Sequence, residues 1–108
     1  MTDLSLTQMQ QMQRELHAKY YDKWGGLIPE KAISKLLWLH GELGEASDLI
    51  KKRGSTAITQ DAETRARFVE EMCDALMYFN DILLCYGITP EEVAAAYAQK
   101  FHTNMSRW

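Results

Sequence analysis

Two acidic pairs, Glu42-Leu43-Gly44-Glu45 and Glu71-Met72-Cys73-Asp74, each place a second carboxylate three residues after the first. Residues at that spacing share one face of a helix, so each pair presents two acids side by side. Neither pair has a lysine or arginine four residues on to form a surface ion pair, because Ala46, Leu49, Ala75 and Tyr78 hold those places. Four carboxylates gathered among apolar residues repel one another and are costly to desolvate unless protons or cations neutralise them. A hard divalent cation does this most simply, and an all-oxygen donor set suits Mg²⁺, with Mn²⁺ able to substitute. A single acidic pair on a helix more often marks a solvated face; its duplication favours a metal.

The elements that must position these acids read as helices. Winding at about 100° per residue puts Ala32, Leu36, Leu39, Leu43, Ala46 and Ile50 on one apolar arc, with Trp38, Glu42, Glu45 and Leu49 beside it. The second segment repeats the design: Phe68, Met72, Ala75, Phe79, Leu83 and Tyr86 form the arc, and Glu71, Asp74, Tyr78 and Asp81 the acidic strip. Antiparallel packing through the two arcs would merge the strips into one site. Asp81 is a candidate extra ligand or a solvated acid beyond it.

Four helices are expected in all, an all-α four-helix bundle within one domain spanning 1–108. The first runs from Thr7 to about Tyr21, followed by a loop with Trp24, Gly25, Gly26 and Pro29. The second runs from about Glu30 to Arg53 and stops at Gly54; Lys51, Lys52 and Arg53 suit the negative end of its dipole. A polar loop leads to the third, from about Asp61 to Tyr86. Thr89 then reads as an N-cap, with Pro90 at the first helical position and Glu92 three residues after the cap. Further apolar residues, Ile33, Leu37, Val69, Met77 and Leu84, lie on a third side, so association into a homodimer or homotetramer is expected.

At 108 residues and 46% apolar composition the chain supports a modest core. A net charge of −3 argues against a general nucleic-acid or polybasic membrane surface. The longest apolar run is far too short to span a bilayer, and Asp3 with a Gln-rich start does not resemble a signal peptide; a cytoplasmic protein is the expectation. Cys73 and Cys85 are separated by roughly 18 Å along one helix and read as two small buried hydrophobes.

The segment Leu39-His40-Gly41-Glu42-Leu43-Gly44-Glu45, followed after 46–70 by Glu71-Met72-Cys73-Asp74, resembles the E-x-x-E, gap, E-x-x-D signature of the MazG-like all-α nucleotide pyrophosphohydrolases. The resemblance continues through Ala75-Leu76-Met77-Tyr78-Phe79 and the Gly87-Ile88-Thr89 turn to a terminal K-x-x-x-N-x-x-R formed by Lys100, Asn104 and Arg107. It implies Mg²⁺-dependent cleavage of a nucleoside triphosphate between the α and β phosphates, giving a monophosphate and pyrophosphate. Carried over residue by residue, Glu42, Glu45, Glu71 and Asp74 are the metal ligands, and Glu42 or Glu45 also serves as base.

Lys100, Asn104 and Arg107 share one helix face, where they could hold phosphate or sugar oxygens or simply decorate a helix end; the resemblance favours phosphate, and Lys52 is a weaker candidate for the same work. Leu16-His17-Ala18, Trp24 and Tyr78 resemble the base pocket of the dCTP-pyrophosphatase branch. Core packing would account for the two aromatics as well, and a surface position for His17. Lys52 stands where that branch carries tryptophan, so a standard or modified deoxynucleotide is expected rather than cytosine alone. A di-iron centre would need Glu-x-x-His, which neither pair provides. The rivals are a non-catalytic helical regulatory module and a phosphoribosyl-ATP pyrophosphohydrolase with the same metal logic.

Overall fold

In the computed structural model, which describes residues 2–108, the chain is all-helical, with no strand among the described residues. Four long helices carry it: α1 (Leu6–Lys19), α3 (Ala32–Arg53), α5 (Ala62–Cys85) and α6 (Pro90–Arg107). Two short helices, α2 (Tyr21–Trp24) and α4 (Ser55–Gln60), replace stretches expected to be loops, and a 3₁₀ turn at Pro29–Lys31 leads into α3. Among the described residues no helix is long and apolar enough to cross a membrane.

The boundaries follow local chemistry. Ser5 and Gln8 form a reciprocal capping box at the start of α1. Asp61 caps α5, accepting from the Thr64 amide at 3.0 Å, and the two Thr64 hydrogen bonds hold its carboxyl below the ordinary carboxylate value. Thr89 caps α6 through the Glu92 amide, with Pro90 at the first turn. Gly54 ends α3 at a φ of 86°, a backbone angle that favours glycine.

The centre of the fold is the α3–α5 pair, with α1 against α5 and α4 bridging both long helices. The pair meets through only the small members of the apolar arcs anticipated above, Ala32, Ala46 and Ala75. On α3 the buried residues are Ala32, Lys35, Ala46 and Leu49; on α5 they are Thr64, Ala75, Asn80, Asp81 and Cys85. Leu36, Leu43, Ile50, Met72 and Phe79, assigned to those arcs, are exposed, as are Ile33, Leu37, Val69 and Met77. Small residues allow the two helices to meet along the acidic strips themselves, which leaves two apolar flanks of the pair uncovered. Cys85 is buried as expected, but Cys73 is exposed.

Helix α6 stands off from this body. None of its residues is buried, and its near neighbours are Leu6 and Thr7 at the start of α1. A compact domain of this length has a radius of gyration of about 13 Å, whereas the chain measures 16.2 Å. Tyr97, Phe101 and Met105 are 78%, 55% and 70% exposed, so α6 carries apolar side chains that a single chain leaves in water.

Candidate metal centre and adjoining cleft

Because α3 and α5 meet along their acidic strips, carboxylates far apart in the chain converge. One oxygen from each of Glu42, Glu45 and Glu71 lies within 4.8 Å of the other two. Glu42 and Glu71 are partly buried, and each retains a buried Oε2 with no hydrogen-bond partner. Asp74 lies outside this trio of oxygens but lines the adjoining cleft with Glu42. Octahedral Mg²⁺ coordination needs oxygens within such a range, about 3.0 Å apart when adjacent and about 4.2 Å when opposite for ligand distances near 2.1 Å. Oxygen-only donors and two orphaned buried carboxylate atoms fit such a cation.

Without one, the acids restrain one another's ionisation. Glu71 is pushed up to about 7, chiefly because the Glu45 and Glu42 carboxyls lie close enough to share its proton, with burial adding to the effect. For Glu42 the largest influence, its contact with Glu71, lowers the pKa, but burial and the nearby Glu45 and Asp74 outweigh it and the net shift is upward. A folded-state value raised from 4.5 to about 7 favours folding while the proton is held. That contribution is complete below pH 4.5 and is lost as the pH rises through about 7. The metal-free protein is therefore expected to lose thermal stability across this window, and saturating Mg²⁺ to remove the loss. Melting temperature against pH, in chelator and in Mg²⁺, checks this; a flat profile in chelator would count against the shared proton.

Two cavities flank the trio. One, about 590 Å³, runs along α3 and α5 from Glu42 and Asp74 past Trp38, Tyr78 and Met77 to His17, Gln13, Lys35 and Asp81, with Trp24, Lys23 and Lys31 at its rim. Trp38 and Tyr78 pack against each other along its wall, with ring centroids 5.9 Å apart and planes tilted by 51°. Burial and the nearby Glu42, Asp74 and Asp81 push the Tyr78 hydroxyl up, which keeps it a hydrogen-bond donor. Trp24 reaches the rim from α2, packing edge-on against His17 at 5.0 Å. The turn behind it is tight. Gly25 has a φ of 76°, and a Cβ there would lie 2.8 Å from Lys31 Nζ, which donates to the Trp24 carbonyl at 2.7 Å.

The other cavity, about 510 Å³, lies on the opposite side of Glu45 and Glu71 and is lined by Lys52, Arg53 and Arg67 together with Asp48. Lys52 thus sits beside the carboxylates. Arg53, read from sequence only as suited to the helix dipole, joins it, and Arg67 carries no sequence signal that separates it from an ordinary surface arginine.

The aromatic and histidine candidates, His17, Trp24 and Tyr78, are brought together around one cleft with Glu42 and Asp74. Lys100, Asn104 and Arg107 are exposed on α6 and line neither cavity. Asp81 is a correction: it is neither a member of the carboxylate trio nor solvated. It is 3% exposed, with Oδ1 accepting from Gln13 Nε2 at 2.7 Å and Oδ2 lying 3.1 Å from His17 Nε2 and 3.3 Å from Lys35 Nζ. His17, readable from sequence as a surface residue, is buried by this same network. Nothing in the linear pattern marked Gln13 or Lys35, because their partner lies 68 and 46 residues away.

Comparison with family models, curated proteins and solved structures gives no match for the chain.

Proposed function

We propose that the chain is a divalent-metal-dependent nucleoside triphosphate pyrophosphohydrolase of the MazG-like all-α class, releasing a nucleoside monophosphate and pyrophosphate. The observation that carries this reading is the order of features along the α3–α5 pair. An aromatic cleft suited to a base adjoins a trio of carboxylate oxygens, and a cavity to which Lys52, Arg53 and Arg67 contribute lies beyond it. A triphosphate laid along that line would place its base against Trp38 and Tyr78, its α-phosphate at the carboxylates and its terminal phosphates toward Lys52, Arg53 and Arg67. The ordered sequence motifs support the same assignment. A scaffold without catalysis would gain stability by replacing the clustered acids with neutral residues, which argues against a purely structural module.

Glu42, Glu45 and Glu71 would hold the cation, with Asp74 completing the set from the cleft side. Once bound, the cation supplies Lewis acidity at the α-phosphoryl group and offsets the charge of the triphosphate. Glu42 or Glu45 takes the proton of the attacking water at a carboxylate oxygen, and the lysine and arginine side chains stabilise the charge that passes to the departing pyrophosphate. The chemistry suits removal of unwanted nucleotides from the cytoplasmic pool.

A panel of NTPs and dNTPs with Mg²⁺, including phosphoribosyl-ATP, tests this directly. Pyrophosphate as the primary product is expected, and release of single phosphate would overturn the reading.

The functional form is proposed to be a homodimer or homotetramer in which α6 of one copy covers the apolar flank of another and carries Lys100, Asn104 and Arg107 to its phosphates. The exposed apolar residues of α6 and of the α3–α5 flanks support this arrangement. Arg107→Ala is expected to cost about 1–3 kcal/mol in kcat/KM through a lost charge-assisted contact, with metal binding little changed. Unchanged kinetics with a small shift in melting temperature would reduce these residues to helix-end decoration.

A further inference from the structure

The inner end of the aromatic cleft holds an ion pair that the proposed hydrolysis does not use. Lys35 is 7% exposed and its ammonium is 3.3 Å from a carboxylate that is itself buried. Replacing such a pair with packed apolar residues is often neutral or stabilising, so stability alone does not account for it. Its position on the cleft wall, beside Trp38, suggests recognition.

We infer that Lys35, positioned by Asp81, acts with His17 to read the base of the bound nucleotide. The edge they select is a ring carbonyl beside a ring N–H, as in uracil, thymine, guanine and hypoxanthine. This inference rests on the nucleotide reading above and adds which bases it admits.

The argument is one of donors and acceptors. Both Asp81 oxygens are engaged within the chain, Oδ1 by Gln13 and Oδ2 by His17 and Lys35, so Asp81 orients its neighbours and does not itself meet the ligand. An ammonium has three N–H donors; Asp81 takes one, and the rest are available to a carbonyl in the cleft that Lys35 lines. In neutral His17 the proton on Nε2 points to Asp81, which leaves Nδ1 as an acceptor. That Nδ1 is buried and has no partner within the chain, an arrangement that costs free energy until an N–H meets it.

A donor and an acceptor lining one cleft match a base edge that carries both C=O and N–H. Cytosine and adenine offer a ring nitrogen lone pair at the position of that N–H, and would set two acceptors against each other at His17. The spacing also fits, since Lys35 precedes Glu42 by two helical turns, about 10 Å, a distance a nucleoside can span with its base lying against the Trp38 and Tyr78 side of the cleft.

The test compares initial rates for dUTP, dTTP, dGTP, dCTP and dATP with Mg²⁺. The parent is expected to favour the first three in kcat/KM on the order of tenfold or more; equal values for all five would overturn the inference. In Lys35→Met combined with Asp81→Asn, which removes the donor without stranding a buried carboxylate, the preference should collapse to about unity, mainly through KM. A folded double variant that keeps the parent's preference would also overturn it. Lys35→Arg keeps a cation against Asp81 while displacing the donor, and should lose the preference too, which covers the case in which the double variant does not fold. If no triphosphate is hydrolysed, the pyrophosphohydrolase reading fails alone. Calorimetric titration with dUMP, dGMP, dCMP and dAMP then decides the base reading: tighter dUMP and dGMP binding supports it, and indifference refutes it.

Discussion

Replacing Glu42 or Asp74 with alanine is expected to abolish Mg²⁺-dependent turnover, a loss on the order of a thousandfold or more, while the metal-free protein stays at least as heat-stable as its parent. The two halves of this expectation come from the same geometry. Under the proposed function, the carboxylates of the trio and its neighbour would hold the cation against the α-phosphate, and the loss of one ligand would forfeit that placement. In the metal-free protein the same groups oppose each other: Glu71 is pushed up to about 7 by its neighbours, and Asp74 and Glu45 help to raise Glu42. Deleting Glu42 relieves that repulsion at Glu71, which should then titrate closer to an ordinary carboxylate, whereas deleting Asp74 removes one of the charges that raise Glu42. Variants that unfold where the metal-free parent remains folded would assign the acids a structural role.

Phe101→Asp should separate the chains and turnover should fall with association. Phe101 is 55% exposed and sits on a helix with no buried residue in the single chain, so the substitution has little to disturb within one copy. A carboxylate placed in an apolar interface costs about 2–4 kcal/mol at each symmetric contact, enough to weaken association on the order of a thousandfold. Light scattering at micromolar concentration is expected to show an oligomeric parent and a monomeric variant with a nearly unchanged helix content. Addition of high protein concentration should restore part of the activity by mass action. A monomeric parent that is fully active would refute the arrangement, and with it the delivery of Lys100, Asn104 and Arg107 by a second copy.

Local chemistry made much of this chain legible. Thr89 with Pro90 starts a helix and Gly54 ends one because capping hydrogen bonds and backbone angles involve only a few neighbouring residues. The acid pairs could be placed on common helix faces for the same reason: three residues on a helix return to nearly the same side whatever surrounds them. That these faces meet was decided by how α3 packs on α5, which brings Glu42, Glu45 and Glu71 together.

Tertiary structure alone decided which stripe of each helix was buried. Both α3 and α5 carry apolar residues on more than one side, so periodicity did not fix the seam: of the expected arcs only the small members Ala32, Ala46 and Ala75 are buried, beside Lys35, Leu49 and Asp81, while Leu36, Leu43, Met72 and Phe79 stay exposed. Small side chains let two helices approach closely, a gain that depends on both partners at once and has no signature in either alone. The same limit hid the cluster around Asp81. Its partners Gln13, His17 and Lys35 come from α1 and α3, each ordinary in its own segment, and only the packing of α1 and α3 against α5 turns a carboxylate expected in water into the buried organiser of a cleft.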